Sequence, residues 1–198
     1  MITTLTKAGC LIAASLLSVP AISLAAAAQE PALAAAEQPL APERNPPGDI
    51  PDNQLFIDYS SPLGFSLQVP EGWARHDLSN GARFADKYSQ ITVTEEAAPS
   101  APAAATAQQT LVPKIKSQAH AVGIKKIADV RMPAASGVLV SYGSNSDPNA
   151  VTNKAIRLES DRYYFWKNGR SVVLDLSAPA GADNVDQWSL MAHSFSWR

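Results

Sequence analysis

The residue types able to do acid–base or metal chemistry are scattered along this chain. His76, His120 and His193 are its only histidines, and none has a second metal-type ligand two to four positions further on, the spacing that lets one element hold an ion. Solvated or core-edge histidines are therefore expected. Asp183 with Asp186, and Glu95 with Glu96, could offer oxygen ligands to a hard cation, but helix capping and surface solvation account for these pairs with fewer assumptions. The one cysteine, Cys10, stands ahead of the residues expected to fold, which removes disulfides, thiolate metal sites and a cysteine nucleophile from the domain. Gly-x-Ser-x-Gly, phosphate-cradling glycine loops and paired-histidine zinc motifs are absent. The expectation is a protein with no catalytic set, no metal and no cofactor.

Binding chemistry is better represented. Arg162, Tyr164, Trp166 and Asp175 fall on one face of a predicted hairpin, and aromatics beside a charged pair commonly line small-molecule or peptide sites. Helix cover over the same face would instead make the aromatics core and leave the ion pair at its rim. Lys114, Lys116, Lys125, Lys126 and Arg131 form a local basic excess that could meet an acidic partner or anionic lipid headgroups, or be an ordinary solvated face. The formal net charge of −2 argues against nucleic acid, whose binders show a strong basic excess.

The hairpin that must position the first group is set by Asn168-Gly169. Both residues tolerate positive φ, so a two-residue type I′ turn joins two β-rich runs. That loop length places Lys167 opposite Arg170, Trp166 opposite Ser171, Phe165 opposite Val172, Tyr164 opposite Val173, Tyr163 opposite Leu174 and Arg162 opposite Asp175. One face then carries Tyr163, Phe165, Val172, Leu174 and Leu176. The other is semi-apolar, so both faces need cover, a ligand or a partner. The parity of Ile156 and Leu158 predicts a bulge or strong twist near Ser160-Asp161.

Strands are also expected at 55–59, 65–69, 82–86, 90–95, 124–132 and 137–142, from alternation and β-branched content bounded by turn residues. Trp73, after Pro70-Glu71-Gly72, is placed to roof the core edge. A low-complexity connection at 99–105 precedes a helix over 106–122, with Leu111, Ile115, Ala119 and Val122 on one stripe and Gly123 as its stop. Pro113 either sits in its first turn or kinks it. A polar loop follows at 143–154. A last helix has Asp183 or Asn184 as its cap and Val185, Trp188, Ala192 and Phe195 as its apolar stripe.

Residues 1–28 read as a signal peptide: Lys7, an apolar run, then Ala26-Ala27-Ala28 for cleavage. Residues 29–52 are rich in Ala, Pro, Glu and Gln and read as a disordered linker, leaving 53–198 as the domain. Export to the periplasm or beyond follows, with no transmembrane segment after cleavage. Retention of the apolar run as an inner-membrane anchor is the alternative.

Gly64-Phe65-Ser66-Leu67-Gln68-Val69-Pro70 with Gly72-Trp73, and Met191-Ala192-His193-Ser194-Phe195 near the end, resemble the PsbP-like fold, which also occurs in small exported bacterial proteins and in a Ran-binding nuclear import factor. The resemblance implies an α+β domain, an antiparallel sheet flanked by helices in an α/β/α sandwich. It carries no photosystem motif and no residue-level match to a Ran-binding surface. With the chemistry search empty, the expectation is a non-catalytic exported accessory domain that binds a cell-envelope protein, through the hairpin and the 143–154 loop. A carrier of a small molecule or lipid, which needs an enclosed apolar cavity beneath Tyr164 and Trp166, is the alternative, and a hydrolase a distant third.

Overall fold

The computed structural model describes residues 37–198, so the expected signal peptide and the start of the linker lie outside the described residues. The chain runs β1 (Phe56–Ser61), β2 (Phe65–Pro70), β3 (Ala74–Leu78), β4 (Gly81–Asp86), β5 (Ser89–Ala97), α1 (Ala104–Thr110), α2 (Val112–Gln118), β6 (His120–Arg131), β7 (Ser136–Asn145), β8 (Arg157–Lys167), β9 (Arg170–Pro179), α3 (Val185–Ser194) and β10 (Ser196–Trp197). Seven strands form an antiparallel sheet in the order β3-β4-β5-β9-β8-β7-β6, and β1, β2 and β10 form a small second sheet. The fold is α+β.

The hairpin β8–β9 lies at the centre of the large sheet with the register that its turn dictates, from Lys167 opposite Arg170 to Arg162 opposite Asp175. Asn168 and Gly169 take φ of 51° and 81°, the two left-handed positions of a type I′ turn. One face of the hairpin, with Phe165, Val172, Leu174 and Leu176 fully buried, packs under β1, β2 and α3 in the main core. Phe165 stacks on Phe195 with ring centroids 4.2 Å apart, and Phe195 lies 6.1 Å from Phe65. Three rings thus join sheet, helix end and second sheet, each burying a side chain that contributes about 1.5–3 kcal/mol. Trp73 packs against this core at its edge. The opposite face is covered over β7 and β8 by α1 and α2, where Ala107, Leu111 and Ile115 meet Val138, Val140, Tyr142 and Tyr164 in a second cluster.

Several elements differ from the sequence reading. The single helix expected over 106–122 is two helices broken at Leu111, because Pro113 has no N–H to continue the ladder and its ring would strike the carbonyl four residues back. It ends at Gln118 instead of Gly123. From His120 the chain joins β6 and pairs with β7, so Val122, although at helical spacing, is captured by the sheet, while Ala119 caps α2 with its N–H on the Ile115 carbonyl. No bulge interrupts β8, which pairs without slip on both sides. The register shifts fall in β6, at His120/Gly123 and Ile124/Lys126. β3 has no apolar alternation because all five of its residues are exposed at the sheet edge. The expected 143–154 loop is shorter: Gly143, Ser144 and Asn145 are buried in β7, and Gly143 leaves room for the Arg157 guanidinium, 2.6 Å from where a Cβ would stand. Val185 opens α3 but is 73% exposed, and Trp188, Met191 and Ala192 carry the buried side.

The linker composition of 37–52 excludes regular structure, and the described part of it has none. It is nevertheless bound to the domain. Asn145 accepts from the Leu40 N–H (3.0 Å) and donates to Glu37 (2.9 Å) and to the Gln38 carbonyl (2.9 Å). Asn184 accepts from the Ile50 N–H (2.6 Å) and donates to the Gly48 carbonyl (3.0 Å), while Ile50 itself is 3% exposed in the main core. Two buried asparagines from distant elements supply the backbone partners that this proline-rich strap cannot find within itself.

Candidate functional site

Where α2 stops short of covering the large sheet, a groove runs parallel to β5 and β9. Period-two alternation brings Gln90, Thr92, Thr94 and Glu96 of β5 and Val173, Asp175 and Ser177 of β9 to this face. Gln118, from the last turn of α2, forms the opposite wall. The groove has two lobes. One, of about 280 Å³, is bounded by Thr92, Thr94, Glu96, Lys114, Tyr164 and Val173. The other, of about 420 Å³, is bounded by Tyr88, His120, Tyr142, Ser144, Asp147, Ser160 and Ser177. Gln90, Gln118, Arg162 and Asp175 line both.

Arg162 and Asp175, opposite each other across the hairpin, form the waist. The guanidinium donates to Asp175 Oδ2 at 2.7 Å and to Gln118 Oε1 at 2.8 Å, and it lies 5.5 Å from the centroid of the Tyr142 ring. The Tyr142 hydroxyl donates to both carboxylate oxygens of Asp175 at 3.2 Å. The side chains of Arg162 and Asp175 are only 13% and 18% exposed. Burial works against the charge on Arg162, but Asp175 more than offsets it and raises its pKa further. Burial, and then the Asp175 charge, push the Tyr142 pKa well up, so its hydroxyl stays a donor. Burial likewise raises Tyr164. The waist is a charge-neutral cluster with polar walls, suited to holding a ligand, and within it the buried Arg162 Nε alone makes no hydrogen bond among the described residues.

Of the predicted hairpin residues, Arg162 and Asp175 form the waist of the groove. Tyr164 only borders the smaller lobe, 3% exposed beneath α1 and α2. Trp166 is partly buried, donates its indole N–H to the Ala98 carbonyl at 2.9 Å and borders a separate recess with Pro102 and Arg131. Helix cover has made one aromatic core and turned the other away from the pair. The predicted basic group is divided. Lys114 and Lys116 lie on α2, with Lys114 3.5 Å from Glu96. The slip in β6 turns Lys125 and Lys126 toward the other side of the sheet, where Lys125 pairs with Glu159 at 2.8 Å and Lys126 faces Asp161. Arg131 ends the same strand. No continuous cationic surface results.

The histidines are equally dispersed. His76 is on the exposed edge strand β3. His120 lies between Glu37 (2.9 Å) and Asp147 (3.1 Å), one on each ring nitrogen, at the end of the groove. His193 Nδ1 is 2.7 Å from the Ser189 carbonyl and 3.3 Å from its hydroxyl, so that nitrogen carries its proton toward the carbonyl and cannot serve as base to the serine. Glu95 pairs with Arg170 and Glu96 with Lys114, from opposite faces of one strand, so the two carboxylates cannot share an ion. Among the described residues no group of three or more His, Asp or Glu converges in a way that could hold a metal, and no helix is long and apolar enough to cross a membrane. Sequence reasoning missed Gln118, Tyr142 and Ser177. Each reads as an ordinary helix or strand residue, and only the pairing of distant strands assembles them.

No family model and no curated protein matches the chain. Solved structures do. A cyanobacterial PsbP is among them. The chain is 14% identical to that Synechocystis protein over 76% of this chain and 98% of the other, with a TM-score of 0.49. It is 10% identical to a Pseudomonas aeruginosa protein of unknown function, over 72% of this chain and 97% of that one, with a TM-score of 0.46. It is also 10% identical to a Ran-binding protein of Saccharomyces cerevisiae, over 73% and 96%, with a TM-score of 0.43. At such identities and scores these likenesses carry no argument about partners or activity.

Proposed function

We propose that this is a non-catalytic accessory domain of the cell envelope, exported by residues 1–28 and binding an envelope protein on the side that holds the groove and the 146–156 loop. The observation supporting this is the groove itself: an open, polar cleft whose charged waist is internally neutralised, with no nucleophile and base in contact. The loop beside it supplies exposed, adaptable surface, with Val151 92% exposed at its tip. The carrier reading has less support, because the space beneath Tyr164 is filled by Ala107, Leu111 and Ile115.

Native mass spectrometry of the protein purified gently from its own envelope fraction tests the reading. A stoichiometric protein partner, lost with Val151→Asp together with Asn149→Ala, is the expected result. A bound lipid with no protein would overturn it. Intact mass of the exported chain is expected to begin at Gln29.

A further inference from the structure

We propose that the larger lobe of the groove is a binding site for a neutral, hydroxyl-rich ligand, a short oligosaccharide. The inference is independent of a protein partner, since it concerns what the lobe alone can hold. Its volume of about 420 Å³ lies within the ~300–1,000 Å³ of ordinary ligand clefts. What lines it argues against two chemistries. An apolar ligand would leave a polar wall unpaired. A charged ligand finds most counter-charges already engaged, the Arg162 guanidinium on Asp175 and Gln118 and Asp147 on His120. Lys87, on the exposed rim turn, is the one lining charge without an ion pair among the described residues, and a solvated surface ammonium adds little.

What stays uncommitted is a mixture of neutral donors and acceptors. The hydroxyls of Ser144 and Ser177, the Gln118 amide N–H₂ and the Gln90 carbonyl oxygen make no hydrogen bond within the described residues, while Gln90 gives its amide N–H₂ to Thr92 and Gln118 its oxygen to Arg162. Such a set matches a ligand whose every polar group is both donor and acceptor, which is the character of sugar hydroxyls. The lobe also has an aromatic wall. Tyr88, on the β4–β5 turn after the left-handed Lys87, is 47% exposed at the rim. Nothing in the core needs that ring exposed. A sugar ring has one face of C–H groups, which an exposed phenol plane can cover while its hydroxyl stays wet.

The test is saturation-transfer NMR and calorimetry on the purified protein with maltotriose, cellotriose and N,N′,N″-triacetylchitotriose, and with triglycine and inorganic phosphate for comparison. At least one trisaccharide is expected to bind in the order of 0.1–10 mM, the range of a few neutral hydrogen bonds and one stacked ring. Tyr88→Ala and Gln118→Ala should each weaken it about tenfold or more, corresponding to about 1.4 kcal/mol. Tyr88 lies on an exposed turn, so its variant should melt as the parent does, and Tyr88→Phe should retain binding. Absence of any saccharide signal, equal binding of triglycine or phosphate, or unchanged affinity in Tyr88→Ala would overturn the assignment. A negative result here leaves the protein-docking reading standing, and loss of the protein partner leaves this one standing.

Discussion

Replacing Asn184 by alanine tests whether the 37–52 strap belongs to the folded unit. Asn184 occupies the N-cap of α3 but makes no cap hydrogen bond with its side chain. Its carboxamide instead accepts from the Ile50 N–H and donates to the Gly48 carbonyl, 134 and 136 residues away in sequence. Two hydrogen bonds at a net ~1 kcal/mol each, with a buried N–H left unpaired, give an expected loss of about 2–4 kcal/mol. Ile50→Ala, which truncates a core side chain 3% exposed, should cost about 2–5 kcal/mol. Both act through the same strap, and once it detaches the second substitution has little left to remove. The double variant should therefore fall short of the sum by more than about 1 kcal/mol. Asn184→Asp separates the strap from the helix cap. It keeps an acceptor for Ile50 and improves the charge at the helix N-terminus, but it loses the donor to Gly48, so it should recover only part of the loss. Urea unfolding followed by tryptophan fluorescence reads the effect: at an m-value of ~2 kcal/mol/M the midpoint should drop by about 1–2 M. Amide exchange at residues 48–52 should rise in parallel. A midpoint within about 0.25 M of the parent, or full rescue by Asn184→Asp, would show that the strap is not held as described.

Gly137→Ala should destabilise by more than about 2 kcal/mol, because a Cβ there would stand 2.1 Å from the Tyr164 carbonyl oxygen; Gly169→Ala, with open space around it but φ of 81°, should cost only about 1–2 kcal/mol, and urea midpoints compare the two. Asp175→Asn should cost about 1–3 kcal/mol by leaving Arg162 without its counter-charge, and the loss should be nearly the same at low and high salt, since the pair is shielded from solvent ions. In an alkaline titration followed by phenolate absorbance, Tyr142, Tyr163 and Tyr164 should ionise late, Tyr163 at about 12. Their folded-state pKa values lie above the unfolded ~10, so the stability that their neutral forms contribute is complete below pH ~10 and is lost as pH rises beyond it. Ionisation of all five tyrosines together near pH 10 with the protein still folded would contradict the burial of these three rings.

The central hairpin was determined by local chemistry. Asn168-Gly169 allows one loop length and one twist, and period-two alternation then assigns every facing pair, so Arg162 and Asp175 could be matched without knowing the fold. The strand at Phe65, Leu67 and Val69 and the docking of Phe195 follow from the same alternation and helical spacing. Where local and tertiary preferences compete, local reading reaches its limit. Val122 has helical spacing but belongs to β6, because pairing with β7 satisfies more backbone groups than another helical turn would, and Ala119 is left as the cap where α2 ends. β3 carries no pattern since an edge strand exposed on both sides has nothing to alternate against. The 37–52 strap reads as linker because its partners, Asn145 and Asn184, are supplied from more than a hundred residues away. Cover decided the site. Which half of a semi-apolar sheet face lies under α1 and α2 depends on where Pro113 breaks the helix and how far α2 extends, and so only the tertiary structure puts Tyr164 in the core and leaves Arg162, Asp175 and Gln118 lining a groove.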